Sequence, residues 1–354
     1  MQQFRAARPG AWYLWVLLSA GSTWQSEKMN ELDINRVMNL SCSYQEPRVL
    51  LTAAELGLFS ALQSGPLTPG AIAEEHNWDA PALQVLLDAL TVMGFVEKTL
   101  GRYAVANCNR QLLSPDDSRG VIPTVSHAAS LWDSWSNLTK RIVASGQLPQ
   151  IDSAKAFVAT MHTAAEKLAP GIAALIRPEA DTCFLDVGGG SGAYTIAFLT
   201  RSRSLHATLL DYPEILEHTR GYLRAAGCAE LVELLAGDAE RVQWPTSQGL
   251  IFLSALIHSL SVDRCARIFS KAFESLEPGG RIVLRDHVMS ENRLRPRAGV
   301  LFNVHMLVCT PQGRTYTFSE IRRSLESVGF IDVRLVQDGE RMNGIVEAFK
   351  PRSV

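Results

Sequence analysis

"FLDVGGGSGAYT", residues 184–195, decides how this chain is read. An apolar run ends in an acid, Asp186, and four glycines follow before the chain turns apolar again. Glycines at a strand end let a ligand touch bare backbone N–H groups, and a helix starting there adds its positive end. Two loop spacings overlap in these residues. Gly188, Gly190 and Ala193 fit G-x-G-x-x-A, whereas Asp186, Gly188, Gly190 and Gly192 fit D-x-G-x-G-x-G. The two loops bind different nucleotides, so the remaining sequence has to choose.

From Thr182 onward, apolar runs alternate with helical ones. "CFLDV", "ATLLD", "VELLAG", "GLIFLSAL", "RIVLRDHVM", "IDVRLVQ" and "GIVEAFK" read as strands. "AYTIAFLTRS", "EILEHTRGYLRAAG", "VDRCARIFSKAFESL" and "FSEIRRSLESVG" read as helices. The alternation predicts an α/β fold with a doubly wound, Rossmann-like parallel sheet. Ligands of such sheets bind beyond the C-terminal strand ends. The first strand ends in Asp186 and the glycines, and the second in Asp211-Tyr212. The third ends in Gly237-Asp238-Ala239, the fourth runs through Ser254 toward His258, and the fifth ends in Arg285, Asp286 and His287. Asp211 is placed for ribose hydroxyls under either loop reading. Asp238 falls at an adenine rim, where an acid accepts from an exocyclic amine.

Asp186 separates the two readings. A dinucleotide would bring its pyrophosphate to this loop, and a carboxylate there repels it. S-adenosylmethionine (SAM) has no phosphate and brings a cationic amino group. Gly237-Asp238 likewise offers no basic residue to a phosphate. The strand-end acids together favour SAM and discount an NAD(P) dehydrogenase.

The chain has 354 residues and a formal net charge of −2. That length allows two domains and a substantial core, and that charge points away from nucleic acid. The six cysteines form no C-x-x-C pair and no metal-ligand spacing, so no metal is expected, and Cys183 and Cys265 read as core residues. Scattered thiols fit a reducing compartment, and the expected location is cytoplasmic. Residues 5–28, "RAARPGAWYLWVLLSAGSTWQSEK", have the outline of a secretory signal and are too short to span a bilayer. The reading preferred here places residues 1–28 outside the fold, disordered or upstream of a functional start at Met29. No membrane partner is expected.

Residues 29–115 read as helices followed by the hairpin-like runs "FVEK" and "RYAV", a winged-helix outline. "DAPALQVLLDALTVMG", the would-be recognition helix, has no Lys or Arg. Its apolar faces suit a dimer interface better than DNA. Residues 116–180 read as linking helices. Trp132, Trp135, Met161 and His162 are candidates for a substrate wall there, against the competing reading of plain helix packing.

With "LDVGGGSG", "LLDYPEIL", "LAGDAE", "LIHSLSVDRC", "LEPGGRIVLRDHVM" and "NVHMLVCTPQGRTYTFSEI" in place, the chain resembles the SAM-dependent O-methyltransferases of the plant caffeate and acetylserotonin type, with their bacterial small-molecule relatives. The resemblance covers roughly residues 35–350. It implies an N-terminal helical, winged-helix-like dimerisation domain (29–115), linking helices (116–180), a SAM-binding catalytic domain (181–354) and an intertwined homodimer. It also implies a small-molecule acceptor. The cofactor set is Asp186, Gly188, Gly190, Gly192, Asp211, Tyr212, Gly237, Asp238, Ala239 and Ser254.

The resemblance places the general base at His258, in an "H-D-W"-like position after the fourth strand. It places a steadying acid at Asp286. A phenol near pKa 10 needs a base, and imidazole suits that role at neutral pH. The competing reading is a structural or capping histidine. Asn303, His305 and Met306 belong to an acceptor-lining helix, and His305 is a second candidate base. Arg285 is structural or paired with an acid, and alternation along the strand sets it and His287 opposite Asp286. Ser259 and Leu260 replace the family's Asp and Trp, and the stretch around Thr315 lacks the family's second acid. These departures keep two alternatives open: SAM-bound non-methyl-transfer chemistry of a hydroxylase-like kind, and a SAM-sensing regulatory dimer.

Overall fold

The computed structural model describes residues 34–143, 146–148, 150 and 152–352. The readings of residues 1–28 and Met29 lie outside the described residues. The chain divides into two compact units, residues 1–47 and 48–354. The first contains the helix Ile34–Cys42, which exposes Val37, Met38 and Leu40.

In the second unit, local signals set the helix ends. Thr68 accepts a hydrogen bond from the Ala71 N–H and starts Pro69–His76, and Asp79 accepts from Ala82 and starts Ala80–Val92. Each helix carries proline in its first turn, where the missing N–H costs nothing. The hairpin β1 (Val96–Thr99) and β2 (Arg102–Val105) follows, in antiparallel register Val96↔Val105. Phe59, Leu62, Ile72, Leu87, Leu90 and Tyr103 form its core with the helices. Asp88 is buried among them because Lys98 Nζ and the Tyr103 hydroxyl both donate to it at 2.7 Å. The expected helices and hairpin are all found. Between residues 116 and 180 stand Ile122–Ser130, Trp132–Ser136, Leu138–Val143, Ser153–Glu166 and Ala169–Ile176.

A seven-stranded sheet follows, built from β3 (Cys183–Val187), β4 (His206–Asp211), β5 (Val232–Ala236), β6 (Gln248–Ser254) and β7 (Leu276–Asp286). A short pair, β8 (Val288–Met289) and β9 (Tyr316–Thr317), sits apart from it, and β10 (Ile331–Gln337) and β11 (Gly344–Phe349) complete it. The order is β10-β11-β7-β6-β3-β4-β5. The central β6 is buried on both faces, as a strand covered by helices on each side must be. One core holds Val187, Leu253 and Leu284, and the opposite core holds Phe252, Val283 and Ile345.

The expected all-parallel sheet needs correcting. Strand β11 runs antiparallel to both β7 and β10, so the sheet is mixed. The physical reason is the short connection 338–343, which cannot hold the crossover that a parallel pair requires.

At the base of the sheet, Arg281 joins Asp181 (2.6 Å) to Glu347 (2.7 Å), all three side chains well covered. Removing the cation would leave the covered Asp181 carboxylate without its ion partner, while Glu347 keeps Arg334 at 2.6 Å. Arg281→Met is expected to lower the unfolding free energy by about 3 kcal/mol, read from urea denaturation. A loss under about 0.5 kcal/mol would mean that the triad behaves like an exposed pair.

Candidate active site

The glycine loop is shaped by contacts that side chains would block. A Cβ on Gly189 would fall 2.5 Å from Leu209 Cγ, and Gly190 has φ 56°. The loop is clamped from the neighbouring strand. Asp211, at the end of β4, accepts the Gly190 N–H and the Tyr212 N–H, both at 2.8 Å. The Thr219 hydroxyl donates to the Gly190 carbonyl at 2.6 Å. Burial raises the Asp211 pKa, and these two N–H groups oppose the rise. Tyr212 is exposed beside it. Gly237 ties back through its N–H to the Asp211 carbonyl (2.9 Å). Asp238 holds the Glu240 N–H and lies 3.6 Å from Arg241, and the Ala239 carbonyl accepts from the Trp244 indole. All these residues meet at the C-terminal ends of β3, β4 and β5.

Asp186 lies beneath this rim. Its carboxyl is 1% exposed, and one oxygen accepts the Thr195 hydroxyl at 2.6 Å. Burial pushes its pKa up to about 7, with the Thr195 bond opposing and Asp211 adding repulsion.

The other sheet face carries a dyad. His258 follows β6 in the short turn Ile257–Ser259, and its Nδ1 lies 2.9 Å from both oxygens of Asp286, at the end of β7. Asp286 is 2% exposed and also accepts the His287 N–H at 2.8 Å. A carboxylate only accepts, so the proton sits on Nδ1 and the Nε2 lone pair is available. The His258 carbonyl is held as well, by the Arg314 N–H at 2.8 Å. A Cβ on Gly313 would come within 2.6 Å of that carbonyl oxygen. Thr315, where the resemblance suggested an acid, is buried, and its N–H donates to Asn303 at 2.9 Å. Among the described residues, Asp286 is the carboxylate paired with His258.

The sequence reading missed Phe302. Its ring meets His258 edge-on at 4.8 Å and also contacts His287 (5.0 Å) and His305 (5.7 Å). The available signal was its helical spacing to His305, three positions on. Its helix, Arg297–Cys309, turns Leu301 and Val304 into the core around Phe59 and Leu87. His287 does not share the face of Arg285 as expected. The strand ends at Asp286, so the alternation stops there. Burial pushes the His287 pKa down to about 4, which keeps it uncharged near neutrality. Also unexpected, Ala255 takes a left-handed conformation (φ 54°) between Ser254 and the dyad turn, a strain of about 1–2 kcal/mol for a residue with a Cβ.

Other candidates fall elsewhere. His162 stacks on Tyr222 and meets the Ser191 hydroxyl of the glycine loop at 3.0 Å, so it stands on the loop side, away from the dyad. Met161, on the same helix, is partly exposed. Trp132 lies under the Arg48 guanidinium at 5.2 Å, and Trp135 is 68% exposed. Met306 is buried, and His305 Nδ1 faces Cys309 Sγ at 3.5 Å, with no carboxylate partner among the described residues. Ser254 accepts from Arg285, on the face opposite Asp286. Among the described residues no His, Cys, Asp and Glu group could hold a metal ion, and no helix is long and apolar enough to cross a membrane.

Comparison with known proteins decides the family. The O-methyltransferase domain model matches residues 173–331, and the O-methyltransferase dimerisation domain model matches residues 38–114. The chain belongs to the SAM-dependent O-methyltransferase family. Among its relatives is the 3-hydroxy-5-methyl-1-naphthoate 3-O-methyltransferase of Streptomyces sahachiroi, 25% identical over 325 residues, or 88% of this chain and 94% of the relative. An O-methyltransferase family 2 protein from Planctomyces limnophilus, solved with apigenin, has a TM-score of 0.75 at 23% identity, covering 90% of this chain and 96% of its own. Human N-acetylserotonin methyltransferase, solved with SAM, has a TM-score of 0.53 at 19% identity over 92% and 100% of the two chains. At these identities the structures carry the fold alone.

The buried acid yields a test. Folded Asp186 keeps a proton that the unfolded chain releases near pH 4. Its contribution to stability therefore falls as pH rises from about 4 to about 7 and levels off above. Asp186→Asn removes that slope. The difference in Tm, ligand-free variant minus wild type, is expected to grow in the variant's favour between about pH 5 and pH 8. A flat difference would show an ordinary, solvated carboxyl.

Proposed function

We propose that the protein moves a methyl group from SAM to a hydroxyl of a small aromatic or polyketide-like molecule, with His258 as general base. The observation that carries this is the His258–Asp286 pair, 2.9 Å apart at the strand ends beside the glycine loop. Asp211, fixed by two N–H groups, has acceptor capacity left for ribose hydroxyls. Gly188, Gly190 and Gly192 form the cradle, with Asp186 beneath it. Tyr212, Gly237, Asp238 and Ala239 border the adenine, and Ser254 faces the methionyl end. The bound cofactor would supply the methyl group and the thioether leaving group.

The chain's own residues align the acceptor and take its proton. The acceptor hydroxyl gives its proton to His258 Nε2. Asp286 keeps Nδ1 protonated and stabilises the imidazolium that forms, as a carboxylate does in a catalytic triad. Phe302 offers a flat apolar surface against which an aromatic acceptor stacks within reach of Nε2. Asn303 braces this helix against Thr315, and His305 rims it. Trp132, Met161, His162 and Met306 are the remaining candidates for contact with the acceptor. The naphthoate specificity of the Streptomyces relative supports an aromatic acceptor.

We take residues 29–115 as the dimerisation domain, 116–180 as linking helices and 181–354 as the catalytic domain. Two copies are expected to associate through the first. The exposed apolar side chains Val37, Met38, Leu40 and Tyr44 suit a surface covered by a partner.

The test is calorimetry with SAM, S-adenosylhomocysteine and NAD, followed by turnover on phenolic acceptors. Binding of the first two, its loss in Asp211→Ala and no binding of NAD are expected. His258→Ala should lower kcat by roughly 10²–10⁴-fold with unchanged S-adenosylhomocysteine affinity. Asp286→Asn should also lower kcat, because an amide fixes the wrong tautomer. Unaltered kcat in His258→Ala would remove it as the base. Sedimentation at the mass of one chain would remove the homodimer.

A further inference from the structure

The mechanism above leaves one buried charge unused. Arg285 is 6% exposed, and no carboxylate lies within ion-pair distance of it among the described residues. Its Nη1 donates to Ser254 Oγ at 3.1 Å, its guanidinium lies 5.1 Å over the Tyr194 ring, and its Nε has no partner among the described residues. The adjacent acid, Asp286, points to the other face and is engaged by His258 and the His287 N–H. A covered guanidinium without an anion is costly, and an aromatic face offsets only part of that cost.

The surroundings say which anion fits. Register pairs Arg285 with Ser254, and Asp186 with Phe252 and through it Val283. Arg285 therefore shares the face of Asp186, two strands across, roughly 10 Å by strand spacing, and two positions nearer the strand ends. The helix that carries Tyr194 starts directly from the glycine loop. One face thus holds a covered carboxyl on the loop strand and a covered guanidinium on β7, not paired with each other. A phosphate would meet repulsion from Asp186. A zwitterionic amino acid presents an ammonium to one and a carboxylate to the other.

We propose that Arg285, with Ser254 beside it, receives the α-carboxylate of the methyl donor's amino-acid end. This rests on the SAM reading above. Tyr194 is the apolar floor that orients the guanidinium, and Nε and Nη1 present the planar donor edge that suits a carboxylate. Lysine could not reproduce that edge.

The experiment measures Kd by calorimetry for S-adenosylhomocysteine, its decarboxylated analogue and 5′-methylthioadenosine, on wild type, Arg285→Met and Arg285→Lys. Wild type is expected to prefer S-adenosylhomocysteine over the decarboxylated analogue by about 10- to 100-fold. Arg285→Met should erase that preference and leave the affinity for 5′-methylthioadenosine unchanged, which also reports that the variant is folded. Arg285→Lys should recover part of it. Equal weakening toward all three ligands would make Arg285 structural and overturn the proposal. Unchanged S-adenosylhomocysteine affinity in Arg285→Met would overturn it too, and a raised KM confined to acceptors bearing a carboxylate would then assign the guanidinium to the acceptor. Wild type binding none of the three would bring down the SAM reading itself, and this proposal with it.

Discussion

Side chains of β7 alternate between two cores, and a slip of one residue would exchange their places. Val283 and Arg285 would then face the dyad, while Leu284 and Asp286 would enter the apolar core around Phe252. The register is pinned from both neighbours. Strand β6 sets Ser254 against Arg285, and β11 sets Gly344 against Asp286. At the lower end, Arg281 reaches Asp181 and Glu347 only in this alignment. The ion pairs at one end of the strand thus keep Asp286 and the Arg285 guanidinium on separate faces at the other.

The strands are readable because short apolar, β-branched runs leave a local mark, whether buried as in β3 or mostly exposed at the sheet edge as in β10. "CFLDV" and "IDVRLVQ" match β3 and β10 residue for residue. Direction leaves no such mark, so "GIVEAFK" was readable as a strand but not as antiparallel. The short 338–343 link was the available clue. In the site, His258, Asp286 and the strand-end acids follow from position in an α/β sheet together with a family resemblance. Phe302 does not, because its role comes from a helix far along the chain docking over the dyad. Ala255 looks like any small strand residue, since strain in φ is not written in residue type. His287 was assigned by alternation, and alternation fails where a strand stops.

The helix Arg297–Cys309 connects two parts of the second unit. Leu301 and Val304 belong to the core of the N-terminal helices, while Phe302 contacts His258 on the neighbouring turn. Lys98 adds a hydrogen bond to the Asn292 carbonyl just before this helix. The N-terminal helices of the second unit are thereby packed against the helix that carries Phe302, the proposed acceptor wall.

The chain leaving that helix closes back on His258, where Gly313 lets Arg314 hold the histidine carbonyl and Asn303 holds Thr315. The Phe302 ring and the His258 imidazole, proposed as stacking surface and base, are therefore mounted on one continuous bracket. A wide acceptor stacked on Phe302, as proposed, would push the helix and displace the imidazole together with it. Substitutions that broaden the acceptor range thus carry a penalty in turnover unless the bracket itself is rebuilt. Divergence toward new acceptors in this lineage is expected to proceed by coupled changes along residues 302–315, rather than by single exchanges at the pocket wall.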